Sequence, residues 1–226
     1  MRLRLQLVFF LLIISACSAQ VVDRMVAVVN KRVILESELD DTARVEFLMQ
    51  DKPLAQLTPT ERTATLDRLI DRSLLEQQIA TAEMPDPTPA EVAERLGEVR
   101  RQLPGAETDE GWHKILNNYG LAQQDVEENL KSQIRILRFV DLRFRSLVRV
   151  EPSAVEAYYR DKLIPQLRAE GAAAPPLSQV SAKIDDILTE QGIDDMLARW
   201  LETLRGQAHI EKMIASGPSS STEARP

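Results

Sequence analysis

Two histidines, one cysteine and several adjacent carboxylate pairs are the side chains with which this sequence could do chemistry. His113 stands between Trp112 and Lys114, with no Ser, Cys or second His near it in sequence to form a nucleophile and base pair, so it reads as a surface residue at a helix. His209 lies in a short apolar segment and reads the same way. The pairs Asp40-Asp41, Glu127-Glu128 and Asp185-Asp186 are neighbours in sequence, and on a helix neighbours point in different directions. No GxSxG elbow, HExxH pair or phosphate-cradling glycine loop is present. The expectation is therefore no catalytic residue, no metal and no cofactor.

The remaining charge is patterned. Between Lys131 and Arg149 there are six basic residues and one acid, Asp141, and the series Lys131, Arg135, Arg138, Arg145 and Arg149 makes a basic stripe along a helix. In a chain of net charge −7 this stripe is expected to be solvated and paired to acidic helices; attraction to acidic partners or lipid headgroups is the other reading. The acidic balance excludes a general nucleic-acid binder. With 226 residues, 44% of them hydrophobic and 4% aromatic, and only 8 glycines, the composition favours a mainly α fold over a many-stranded sandwich.

Residues 1–19 have the pattern of an export leader: Arg2 and Arg4 precede the unbroken apolar run from Leu7 to Ile14, which is too short to span a bilayer. Cleavage after Ala19 would give a periplasmic, cysteine-free chain of net charge −9. Ile14-Ser15-Ala16-Cys17 also resembles a lipobox, which makes Cys17 a lipid-attachment candidate and gives a membrane-anchored alternative.

The elements that position everything else follow in order. Val21 to Asn30 and Val33 to Leu35 read as a small hairpin. Ser37 reads as the N-cap of a helix with Asp40 at N3, ending near Pro53. Thr58-Pro59-Thr60-Glu61 and Thr88-Pro89-Ala90-Glu91 each spell a capped helix start with Pro at N1 and Glu at N3. The first helix carries Leu66, Leu69, Ile70 and Leu74 on one stripe, the second Val92, Leu96, Val99 and Leu103. A shorter segment with Trp112, Ile115, Leu116 and Tyr119 stops at Gly120. From Ala122 a long helix, with Val126, Leu130, Ile134, Leu137, Phe144 and Val148 on one face and Ile136, Phe139 and Leu142 beside it, is expected to be central to the body. A further helix carries Val155, Tyr159, Leu163 and Leu167. Helical segments on either side of Gly192 precede a β-compatible stretch at 208–214.

The string VVDRMVAVVNKRVILESELD at Val21 to Asp40 resembles the start of the mature SurA-type periplasmic chaperones. LDRLIDRSLLEQQIA at Leu66 to Ala80, YGLAQQDVEENLKSQIR at Tyr119 to Arg135 and VRVEPSAVEAYY at Val148 to Tyr159 follow the order of that family's N-terminal module. The resemblance runs from Val21 to about Leu163. It implies a helical body of SurA-N and trigger-factor-C type, fastened by a small sheet that a returning C-terminal helix and strand complete. The expected organisation is 1–19 leader, 20–168 chaperone module, 169–177 linker, 178–214 C-terminal helices and strand packing back, and 215–226 disordered tail. Many relatives carry a parvulin prolyl isomerase inserted after the connection at Val148 to Tyr159. Such a domain needs on the order of a hundred residues, and the stretch from Lys162 to Leu177 is too short for one. Paired parvulin histidines are missing around His113 and His209.

The resemblance implies an ATP-independent holdase that binds unfolded or extended polypeptides, outer-membrane protein precursors among them. Two alternatives stand beside it: a degenerate isomerase or isomerase-associated subunit, and a dedicated envelope assembly factor held at the membrane through Cys17. Trp112, Tyr119, Phe139, Phe144, Met49 and Met84 suit a peptide crevice but each reads first as core; the better crevice candidates, near helix ends and turns, are Phe47, Met49, Trp112 and Tyr119.

Overall fold

The computed structural model describes Asp23 to Met213; the leader, Cys17 and the tail at 215–226 lie outside the described residues. The hairpin forms as expected. β1 (Met25–Val29) and β2 (Arg32–Leu35) are antiparallel, with Val29 opposite Arg32 across a two-residue turn in which Asn30 takes the left-handed φ of 57° that such turns demand. Strand β3 (Ile210–Lys212) returns from the far end of the chain to the other side of β1, giving the order β2-β1-β3.

β2 runs without a loop into α1 (Glu36–Met49), and here the cap differs from expectation. Ser37 is already inside the helix, and Leu35 at the N-cap offers no side-chain acceptor. Asp23, ahead of β1, supplies it from outside: its carboxylate accepts from the Ser37 backbone N–H at 3.2 Å and from the Ser37 hydroxyl. A cap brought in by the hairpin cannot be read from the residues next to the helix.

The two Thr-Pro-x-Glu signals open α2 (Pro59–Thr81) and α3 (Pro89–Gln102). Thr58 accepts from the Glu61 N–H at 3.3 Å, while Thr88 completes a reciprocal box in which Glu91 also accepts from the Thr88 N–H at 2.8 Å. Helix α4 (Asp109–Tyr119) ends at Gly120 with φ +63°, the left-handed stop its glycine permits.

Helix α5 (Gln123–Phe144) is shorter and less enclosed than its apolar width predicts. It gives way to a 3-10 turn at Arg145–Leu147, and Leu137 and Leu142 are 64% and 73% exposed. Val126, Leu130, Phe139, Val140 and Phe144 are its buried apolar residues. Then α6 (Pro152–Tyr158) passes through a π turn (Tyr159–Leu163) into α7 (Ile164–Ala169). The GAAAPP stretch leaves the helix with Gly171 at φ +73°, and the Tyr159 hydroxyl donates to the Pro175 carbonyl at 2.8 Å.

Helix α8 (Leu177–Gln207) runs unbroken through Gly192 and joins the helical segments on either side of it into one. The glycine serves close approach: a Cβ there would lie 2.6 Å from Val148 Cγ1.

Three buried clusters hold these elements. Strands β1 and β2 pack with α1 and α2 through Val26, Val29, Ile34, Leu39, Leu66, Ile70 and Leu74, with Leu204 and Ile210 of the returning segment against them. Val45, Leu48, Leu96, Val99, Trp112, Leu116, Val126 and Leu130 join α1, α3, α4 and α5. Val140, Phe144 and Ile193 join α5 to α8, where Trp200 stands 5.8 Å from the Phe139 ring and 5.6 Å from Phe144. The mainly α class with a small antiparallel sheet is thus as expected.

Candidate functional site

The four crevice candidates separate into two kinds. Trp112 is fully buried and Phe47 is 2% exposed, so both belong to the core, and in this conformation neither presents surface to a ligand. Trp112 also satisfies its indole N–H internally, donating to Gln123 at 3.2 Å, and lies 5.8 Å from the Arg100 guanidinium. Position near a helix end misleads here, because α4 is short and its only apolar face turns inward. Met49 and Tyr119 are half-buried against the same cluster, and the Tyr119 hydroxyl donates to the Lys52 carbonyl at 2.8 Å, beside which burial pushes its pKa upward.

The larger apolar exposure lies elsewhere, on the stretch from Leu137 to Leu147. Leu137, Leu142 and Leu147 are each at least 60% exposed. Burial of three such side chains in a partner would stabilise a complex by roughly 1.5–3 kcal/mol each before ordering costs. A separate shallow groove of about 490 Å³ lies between α6 and α8, lined by Val150, Pro152, Val155 and Leu177 together with Glu156, Asp185 and Asp186. Sequence periodicity alone counts Leu137 and Leu142 as core; only the position of α8 shows which side of α5 is covered.

The basic stripe is largely paired. Lys131 and Arg135 reach Asp86 at 2.8 and 3.4 Å, Arg138 binds Glu91, and Arg145 bridges Asp141 and Glu190. Arg143, by contrast, lies 4.3 Å over the Trp200 ring. Exposed pairs of this kind are worth little individually.

The two histidines are exposed and separate. His113 Nδ1 lies 2.7 Å from the Asp109 carbonyl and His209 Nε2 lies 2.9 Å from Glu211. Among the described residues no three His, Cys, Asp or Glu side chains converge to hold a metal, and no helix is long and apolar enough to cross a membrane.

The exposed leucines and the shallow groove between α6 and α8 are the apolar surface the described residues present to solvent. No family model matches the sequence. It is 28% identical over 156 residues to the Chaperone SurA of Methylobacillus flagellatus, covering 66% of this chain and 35% of that protein. Over this stretch the chain is similar to a SurA chaperone. It is also 27% identical over 168 residues to the Chaperone SurA of Hahella chejuensis, covering 71% of this chain and 38% of the relative. The SurA-like match therefore spans little more than a third of the length of these relatives.

Proposed function

We propose that this SurA-like chain is an ATP-independent holdase that acts in the periplasm and binds unfolded polypeptides, with outer-membrane protein precursors as its clients. The observation that carries the reading is the exposure of Leu137, Leu142 and Leu147, large apolar side chains left uncovered on one stretch of chain. Weak contacts of that kind are exchangeable and tolerate many client sequences, and no bond is made or broken. The names of the two relatives and the export pattern of residues 1–19 support the same reading.

The test is dilution of a urea-unfolded porin into buffer with increasing amounts of the protein, followed by light scattering. Suppression that scales with the molar ratio and needs no nucleotide is expected. Unchanged aggregation at a severalfold excess of the protein would sink the holdase reading. Turnover of a proline peptide at the buffer rate is the companion expectation, and catalysis above that rate would favour the isomerase alternative.

A further inference from the structure

Two surfaces of opposite charge lie one after the other along α8. The first is the corner where α5 ends and turns, at which Leu142 and Leu147 are exposed with the exposed Arg143 and Arg149 beside them. Neither arginine has a carboxylate partner among the described residues; Arg143 instead lies over the Trp200 ring. The second is the groove of about 490 Å³ between α6 and α8. Its apolar lining comes from Val150, Pro152, Val155 and Leu177, and its charge from Glu156, Asp185 and Asp186. These three carboxylates are exposed, form no ion pair among the described residues, and share the groove with no lysine or arginine.

Each surface has what the other lacks. The corner offers leucine side chains and two unpaired guanidinium groups; the groove offers an apolar recess and three unpaired carboxylates. In a chain of net charge −7, two copies repel one another over most of their surface and attract where these patches meet. One copy cannot join its own two patches, because α8 holds them apart. The corner is fixed to α8 through the Arg145–Glu190 ion pair, the contact of Val148 with Gly192 and the packing of Phe144 on Trp200, whereas the groove uses α8 only from Leu177 to Asp186. At the rise of an α-helix their centres are about 20 Å apart. A two-fold axis crossing α8 between them lays each copy's corner on the other's groove and makes both contacts at once, which is a closed, isologous interface.

We propose that the occupant of this surface is a second copy of the chain. The two copies form an antiparallel homodimer across α8, in which Arg143 and Arg149 of one face the Glu156, Asp185 and Asp186 carboxylates of the other, and Leu142 and Leu147 enter the groove. The pairs are exposed and the apolar contact is small, so the association is weak, reversible and sensitive to salt. It covers two of the leucines that the holdase reading gives to clients, but it does not rest on that reading.

Sedimentation equilibrium of the purified protein tests the dimer. Association is expected to be half complete between about 10 and 100 µM in low salt and to weaken severalfold in about 0.5 M sodium chloride. Arg143→Glu/Arg149→Glu and Asp185→Lys/Asp186→Lys are each expected to be monomeric. Mixed in equal amounts they should associate again, because the reversed corner then meets the reversed groove and the native corner the native groove; that rescue also shows that both variants fold. Where a reversal fails to fold, the single neutralisations Arg149→Gln and Asp186→Asn replace it, each expected to weaken association severalfold. The proposal is overturned if the wild type stays monomeric to about 500 µM in low salt, if the folded reversals or the neutralisations associate as the wild type does, or if the mixture of folded reversals remains monomeric. A monomer that floats with phosphatidylglycerol vesicles through Arg143 and Arg149 would assign the surface to lipid and likewise overturn the dimer. Association is measured with no client present, so its failure is distinguishable from a failure to suppress aggregation.

Discussion

Asn30 and His209, 179 residues apart, exchange hydrogen bonds: the Asn30 backbone N–H donates to the His209 carbonyl at 2.7 Å, and the His209 N–H donates to Asn30 Oδ1 at 2.9 Å. The Asn30 amide nitrogen then donates to Gln77 of α2 at 2.8 Å. One turn residue thus ties the hairpin to both a central helix and the returning strand. Arg205 reinforces the closure, donating to Asp71 at 2.5 Å and to the Asp67 carbonyl at 3.2 Å, and Lys212 pairs with Asp67.

Replacing Asn30 separates its two roles. Asn30→Gly keeps the positive φ and removes the side-chain bonds, and is expected to cost about 1–2 kcal/mol. Asn30→Ala adds the left-handed penalty, about 1 kcal/mol more. Urea unfolding measures both, as a lowered midpoint with an unchanged slope; equal midpoints for the two variants would remove the conformational part of this account.

Two glycines of α8 are expected to respond in opposite senses. Gly192→Ala places its Cβ against Val148 and should destabilise by about 1–3 kcal/mol despite the better helix propensity of alanine. Gly206 has open space at its Cβ position, so Gly206→Ala should stabilise by about 0.5–1 kcal/mol. Thermal melts of the pair suffice, and stabilisation by Gly192→Ala would contradict the close approach.

Acid sensitivity follows from two carboxylates with opposite signs. The Thr88 backbone N–H and hydroxyl, then Arg138, hold Glu91 below its ordinary value of 4.5. Its contribution is therefore present above that value and lost as the pH falls through the depressed one, and Glu91→Gln should flatten the acid limb of the stability profile. Asp41 is raised above 3.8, mainly by burial, so its ionised form opposes folding at neutral pH. Asp41→Asn should be the more stable protein at pH 7, with the difference vanishing below the ordinary carboxylate range. Chemical denaturation at a series of pH values checks both signs.

The surface leucines and the buried tryptophan should separate function from stability. Leu137→Ser/Leu142→Ser/Leu147→Ser is expected to shift stability by less than about 0.5 kcal/mol per site while raising the amount of protein needed to suppress porin aggregation severalfold. Trp112→Ala should cost about 3–5 kcal/mol through its cavity. If the triple serine variant suppresses aggregation as well as wild type, the leucine surface is not where clients bind.

Much of this architecture was legible one segment at a time. The Thr-Pro-x-Glu starts of α2 and α3, the stop at Gly120, the hairpin turn and the Leu66-Leu69-Ile70-Leu74 face depend on residues within a few positions of each other, and local chemistry decides them. The residue types likewise determined that no familiar catalytic motif is spelled out. Tertiary structure decided what depends on a distant neighbour. Asp23 rather than Ser37 caps α1, α8 runs through Gly192, and Phe47 and Trp112 are enclosed while Leu137, Leu142 and Leu147 face outward. A cleft between β2, α1, α2 and α5 has the same origin: its lining residues run from position 32 to position 132. Periodicity reports that a helix has an apolar side, but which part of that side is covered depends on where the other helices lie, and that is fixed only when the chain closes on itself.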